Sequence, residues 1–354
     1  MKRTLKKLLI LFTGLLFTVN TCSCGNGSET KAVNTKDKIV IGMVIDGLVI
    51  ERWQKDRDIF VSKAKELGAE VIVRNANEDT ARQVEQIYAI IEEGIDSLVI
   101  IPYDKDGLSQ CVKAAKKKGI PVIAYDRLIR NADVDAYIAF DSVKVGQMMA
   151  GALYEKVPEG NYIIVNGSQK DNNSFLFNNG FKKALQEGLD NGKIHILDEV
   201  WSEDWREEEA YNAVGRAIEA GQEIHGVIGG NDRLAEGAIK VLSENRLLNK
   251  VVVVGHDAEL SACQRIVEGT QLATVYKPIK VLAEGAAELA VNMAKGKKIN
   301  YTHTLDDGKY SVPTIQYDPI LVTKENMIET VIRDGFHTVE EVYRNIPRSE
   351  WPDK

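Results

Sequence analysis

From Ile39 onward, short apolar runs alternate with stretches whose apolar residues recur at helical spacing. The runs KIVIGMVI, EVIVR, SLVIIP, PVIAY and AYIAFD predict strands, with helices over 51–67, 80–93 and 106–118 between them. The rhythm resumes with NYIIVNG, KIHILDEVW, HGVIGG, KVVVVGHD and QLATVY, interleaved with helices such as 173–190 and 206–220. Near-continuous apolar strands alternating with amphipathic helices describe βαβ units, a parallel sheet covered on both faces. One sheet holding every strand would be very wide, so the pattern predicts an α/β protein of two similar doubly wound parallel-sheet lobes. A weak internal repeat agrees. SLVIIPYDKDGLSQCVKAAKKKGIPVIAYD and HGVIGGNDRLAEGAIKVLSENRLLNKVVVVGHD share one plan, each ending on an aspartate, Asp126 and Asp257.

Ligands of open α/β sheets bind beyond the carboxyl ends of the strands, so the residues that follow each strand carry the chemistry. They are Arg52 and Trp53, Asp126 and Arg127, Asp171 and Asn173, Trp201 and Trp205, Asn231 and Asp232, Asp257, and Lys277. VIAYDRLI poses the sharpest question, because a buried strand ends in an adjacent acid and base and then turns apolar again. The set holds acids, bases, amides and indoles but no Ser/His/Asp arrangement, no Cys/His pair and no metal-ligand spacing. DGLVIER lacks the glycine pattern of a phosphate loop. PYDKDG has calcium-loop composition, but counting back from Gly107 puts Pro102 at the first ligand position, which leaves a plain turn. A sugar suits this mixture. Each hydroxyl both donates and accepts, carboxylates take its protons, and Arg, Lys and amide groups donate to its oxygens. The indoles of Trp53 and Trp205 suit the apolar C–H faces of a pyranose. Taken singly, an Asp at a strand end is an ordinary helix cap, Trp201 reads as core, and Lys277 before Pro278 reads as a surface residue at a helix start.

Composition narrows the class. The 354 residues are 44% apolar and 27% charged, a globular balance with room for two domains. The formal net charge is −7, and removing Lys2, Arg3, Lys6 and Lys7 takes it to −11. An acidic body argues against nucleic acid as a partner. The N-terminus has a basic start, an apolar run from Leu8 to Val19 and then small polar residues, the pattern of a secretory signal peptide. Cys22 and Cys24 follow the run at the distance of a lipoprotein cysteine, and neither fits that pattern fully. Residues 1–24 are therefore expected to be a lipoprotein-type signal and 25–36 a flexible polar tether. Cys111 and Cys263 lie alone in helical patterns, as small apolar residues.

IGMVIDGLVIERWQKDRDIFV, LVIIPYDKDGLS, IPVIAYDRLI, GSQKDNNSFLF, GGNDRLAEGAI and TVYKPI together resemble the cleft segments of the bacterial D-xylose-binding proteins, members of the type I periplasmic sugar-binding family. The likeness runs from about Ile39 to His337, with ribose-binding proteins as more distant relatives. It implies ligand-binding roles for Arg52, Trp53, Asp126, Arg127, Asp171, Asn173, Trp205, Asn231, Asp257 and Lys277. The family's first strand ends in two acids, whereas this chain has Asp46-Gly47. The resemblance also implies a three-strand hinge with crossings near Asp141, Tyr276 and Pro313. The first lobe is then 37–141 plus 277–312, the second 142–276 plus 313–345, and 346–354 a tail. Hinge closure about D-xylose follows from it, without a cofactor. The implied partner is the membrane permease of an ABC importer or, as in some relatives, a sensor histidine kinase, with contact to the outer face of the membrane through the lipid anchor.

Two other classes compete. A glycosidase would use Asp126, Asp171 or Asp257, but Arg127 and Lys277 nearby favour ionised acids, against the raised pKa a general acid needs. A sugar-responsive repressor would need a DNA-binding segment ahead of Ile39, where the signal-like segment stands instead.

Overall fold

The computed structural model describes residues 38–352 apart from Glu51; the expected signal, tether and Cys22 or Cys24 lie outside the described residues. The first stretch runs β1 (Ile39–Ile45), α1 (Arg52–Glu66), β2 (Ala69–Asn75), α2 (Thr80–Glu92), β3 (Ser97–Ile100), α3 (Ser109–Lys117), β4 (Val122–Tyr125) and β5 (Ala136–Phe140). The second runs α4 (Ser142–Lys156), β6 (Gly160–Asn166), α5 (Asn172–Asp190), β7 (Ile194–Trp201), α6 (Glu208–Glu219), β8 (Gly226–Gly229), α7 (Asp232–Glu244), β9 (Val252–Val254), α8 (Leu260–Glu268) and β10 (Thr274–Tyr276). Last come α9 (Ile279–Ala294), β11 (His303–Asp306), β12 (Ser311–Tyr317), β13 (Ile320–Val322) and α10 (Val339–Val342).

The strands form two main sheets. One has seven strands in the order β11-β12-β5-β4-β3-β1-β2, parallel except for β11. The other has four parallel strands, β7-β6-β8-β9. β10 pairs antiparallel with β13 and meets β9 only through the Val254–Ala273 bridge. The expected doubly wound lobes are therefore present. Apolar periodicity alone did not show the β11–β12 hairpin, whose strands are short and partly exposed.

The chain leaves the seven-stranded sheet after β5 and returns after β10, when α9 packs on α1 and on the sheet. Leu282, Ala283, Ala286 and Ala287 of α9 share a core with Ile41, Met43 and Ile45 of β1. The third crossing differs from expectation. β12 continues past Pro313, pairing Thr314 to Tyr317 with Tyr137 to Phe140, so the chain leaves this sheet after Tyr317. The missing N–H of Pro313 falls before that ladder begins and costs it no bond. Over its described part, the stretch 346–354 expected as a tail is packed against the second lobe's last elements. Ile346 and Trp351 pack on the cluster of Val342 and Tyr343, and Trp351 Nε1 donates to Ile346 O at 2.9 Å.

In the second lobe α4 and α5 pack at very short range. A Cβ on Gly146 would stand 2.2 Å from Phe177 O, so only glycine admits this approach, which fixes the first turns of α5. Cys111 and Cys263 are buried and free of disulfides.

Candidate ligand-binding site

All ten expected residues line one cavity, joined there by Ile50, Phe177 and His256. Arg52 and Trp53 open α1, and Asp126 and Arg127 directly follow β4. Asp171 and Asn173 stand at the start of α5, Trp205 in a turn after β7, and Asn231 before α7. Asp257 follows β9, and Lys277 follows β10 at the crossing. Each position lies beyond the carboxyl end of a strand, where parallel sheets present ligand-binding groups.

The adjacent pair Asp126-Arg127 does not pair with itself. Asp126 adopts φ 61°, an uncommon conformation for a non-glycine residue. Its N–H donates to Ile138 O at 2.8 Å, while Tyr137 Oη and Asn173 Nδ2 donate to its carbonyl at 2.9 and 3.0 Å. The turn sends the two side chains apart. The Asp126 carboxylate lies 3.0 Å from Arg52 Nη1. Arg127 reaches Asp46 through Nη1 at 2.6 Å and Asp171 through Nε at 2.7 Å, joining the two lobes. Arg52 is itself held by Asp56, which accepts from Nε and Nη2 at 3.2 Å each and also from the hydroxyl of Tyr125.

On the second lobe, helix capping and cavity lining coincide. Asp171 caps α5 by accepting from Asn173 N at 2.8 Å, and its other oxygen meets Arg127. Asn231 caps α7 by accepting from Leu234 N at 2.9 Å, so its amide NH₂ is the end left for the cavity. Asp257, at φ 103°, lies 2.8 Å from Lys277 Nζ and 3.9 Å from Arg52 Nη1. Asp232, also a strand-end candidate, does not line the cavity. It is fully buried and accepts from Thr274 Oγ1, Gln271 Nε2 and Glu259 N.

The indoles form walls. The guanidinium carbons of Arg52 and Arg127 lie 4.6 and 5.4 Å from the Trp53 ring centroid. Trp205 lies flat on the backbone at Gly167, where a Cβ would meet its ring at 2.1 Å. Trp201 stacks on Phe175 at 4.8 Å, away from the cavity.

Three contributors escaped the strand-end reading. Asp46 directly follows β1 and anchors Arg127. Phe177 lies four residues after Asn173, one turn along the same helix face. His256 immediately precedes Asp257, where the apolar run hid it. Gly47, in place of a second acid, sits close to Glu78, whose Cγ would be 3.0 Å from an added Cβ.

Charge is set by burial against pairing. Burial pushes the Asp126 carboxyl up, but Arg52, Lys277 and Arg127 outweigh it and hold the group below its ordinary value. Asp257 is held well below in the same way, by Lys277 first and also by Arg52. At Asp171 burial exceeds the pull of Arg127, and the carboxyl is raised. The pull of the cations thus outweighs burial at Asp126 and Asp257, and burial outweighs it at Asp171. Burial also lowers the His256 imidazole, which favours its neutral form.

Several buried polar atoms here lack an aligned hydrogen-bond partner: Arg52 Nη1, Trp53 Nε1, Trp205 Nε1, both ring nitrogens of His256, and Asp257 Oδ1. All belong to cavity-lining residues. Arg52 Nη1 and Asp257 Oδ1 are ion-paired, to Asp126 at 3.0 Å and Lys277 at 2.8 Å, whereas the two indole N–H groups meet nothing, at a cost of about 1–3 kcal/mol each. Among the described residues, no group of three or more His, Cys, Asp or Glu side chains is placed to hold a metal ion.

The family model for a periplasmic binding protein domain matches residues 41–298. The chain is 46% identical over 336 residues to the D-xylose-binding periplasmic protein of Escherichia coli K12, covering 95% of this chain and 98% of that protein. It is 46% identical over 315 residues to the D-xylose-binding periplasmic protein of Haemophilus influenzae, covering 89% and 95%. Among solved structures, a carbohydrate transporter solute binding protein from Chloroflexus aurantiacus in complex with D-glucose superposes with a TM-score of 0.81. It is 27% identical, and the match covers 86% of this chain and 98% of that one.

Proposed function

Because this chain belongs to the periplasmic binding protein family, we propose that it is an extracytoplasmic receptor that captures D-xylose between its two lobes and delivers it to an ABC importer. The observation that carries this reading is the convergence of buried acids, bases, amides and indoles from both lobes on one cavity. A monosaccharide meets them with hydroxyls that donate and accept together, while Trp53 and Trp205 cover its C–H faces. D-Xylose is preferred to other aldoses because two relatives named for it are 46% identical over most of the chain.

Binding without catalysis is the matching chemical reading. Asp126 and Asp257 are held ionised by their cations, whereas a glycosidase acid must keep its proton. Asp171, although raised, is committed to Arg127 and to the cap of α5.

Calorimetric titration against a panel of aldoses tests the ligand. D-Xylose should bind more tightly than D-ribose, D-glucose or L-arabinose, and equal or tighter ribose binding rejects the assignment. We further propose that Cys22 or Cys24 carries a lipid that tethers the receptor at the outer face of the cytoplasmic membrane. Replacing both with Ser should release the protein into the medium; retention in the membrane fraction rejects the anchor.

A further inference from the structure

His256 is 2% exposed, and its ring is one member of a cluster of three. Its centroid lies 4.5 Å from Phe177 and 6.2 Å from Trp205, and those two rings are 6.3 Å apart, edge to face. The packing fixes the plane of the imidazole and leaves it on the cavity wall. Nε2 has no hydrogen-bond partner, and Nδ1 has none in aligned geometry. Nδ1 lies 3.2 Å from Asp257 Oδ1, but out of alignment for a bond. A purely packing role would be filled better by phenylalanine or leucine, which leave no buried nitrogen unmet.

We infer that His256 is an additional sugar-binding residue, whose imidazole hydrogen-bonds a ring hydroxyl beside the one taken by Asp257. The inference rests on the sugar-binding reading above and extends it to a side chain outside the ten. A neutral imidazole offers one donor and one acceptor, the pair that a hydroxyl can use in either direction. Burial, together with Lys277 and Arg52, favours that neutral form over the pull of Asp257. The fixed ring plane makes the contact directional, so it discriminates by hydroxyl position and configuration and adds to the shape selection by the indoles.

The test is calorimetry on the wild type, His256→Phe and His256→Gln, with D-xylose and each of its monodeoxy analogues. His256→Phe keeps the ring packing and should weaken D-xylose binding roughly tenfold or more, with a melting temperature equal to or above that of the wild type. His256→Gln, which restores a donor and an acceptor, should bind more tightly than His256→Phe. One deoxy analogue should lose affinity in the wild type and lose little more in His256→Phe, identifying the hydroxyl. Wild-type affinity in His256→Phe overturns the inference, as does the same loss for every analogue in both proteins. If the melting curve shows that phenylalanine disturbs the packing, His256→Leu is put through the same series. A wild type that ignores D-xylose overturns the proposed function and this inference with it, whereas D-xylose binding unaffected by the substitution overturns the inference alone.

Discussion

Asp126 and Asp257 approach a single guanidinium, that of Arg52, from two different strand ends, at 3.0 and 3.9 Å from Nη1. Both have positive φ, and both donate their N–H to the next strand, Asp126 to Ile138 O at 2.8 Å and Asp257 to Val275 O at 2.9 Å. They are the two terminal aspartates of the internal repeat. A left-handed residue at the corresponding strand end of each half aims two carboxylates at one guanidinium. Positive φ costs a non-glycine residue about 1–3 kcal/mol, and such strain collects where a side chain must be aimed.

Removing either acid should therefore weaken the site through Arg52. Asp126→Ala leaves Nη1 without its near carboxylate in a buried setting, where an unmet charged group costs more than the roughly 1–3 kcal/mol of a neutral one. D-Xylose affinity is expected to fall at least a hundredfold in calorimetry. Asp126→Asn keeps the side-chain shape and should lose less.

Gly167→Ala tests the stacking wall without touching a polar group. The added methyl would stand 2.1 Å from the Trp205 ring, so the indole must move. Affinity should drop tenfold or more, with a shifted tryptophan emission, as observed by fluorescence titration. Trp205→Ala should show a similar loss while leaving the protein folded.

Asn231 has two tasks that a pair of substitutions separates. Asn231→Ala removes both the cap of α7 and the cavity amide, so it should lower stability by about 0.5–2 kcal/mol as well as affinity. Asn231→Ser keeps a capping oxygen and should lose affinity alone. Thermal unfolding and calorimetry on the two variants distinguish the effects.

A latch outside the cavity is expected to govern release. Tyr103 Oη donates to Asp204 Oδ1 at 2.5 Å, and Lys170 Nζ lies 2.9 Å from the hydroxyl and 3.2 Å from the carboxylate. Tyr103 follows β3, whereas Lys170 and Asp204 follow β6 and β7, so the contact spans the two lobes. Tyr103→Phe should raise the dissociation rate several-fold with little change in association, as seen by stopped-flow, because most interface changes act on release. Small-angle scattering should show the wild type compacting on adding D-xylose, and Asp126→Ala failing to compact at the same concentration.

Acid titration has a stated sign at Asp232. Burial lifts its carboxyl to about 7, against the help of Thr274 and Gln271. The folded protein then binds a proton that the unfolded chain releases near its ordinary carboxylate value. This contribution is full below that value and declines as pH rises through about 7. Denaturant unfolding of the wild type and Asp232→Asn should show the wild type losing ground relative to the variant between pH 4 and 7, then running level.

The strands, the helices between them and the division into two lobes were legible in the sequence because burial on both faces writes apolar runs, and period distinguishes strand from helix. The ten cavity residues were legible among the strand-end positions, where parallel sheets put ligand-binding groups, with Trp201 and Asp232 beside them, and the family resemblance narrowed that set to the ten. Pairing was not. Sequence adjacency placed Asp126 beside Arg127, but a turn at φ 61° sent Asp126 to Arg52, 74 residues earlier, and Arg127 to Asp46 and Asp171. Local spacing carries no record of which distant element supplies a counter-charge. The same limit hid Asp46, which is placed only when β1 lies near β4, and the edge hairpin β11–β12, which one neighbour on β5 supports. His256 reads as one more residue of a strand end, and only the packing of Phe177 and Trp205 around it decides that its ring forms part of a cavity wall.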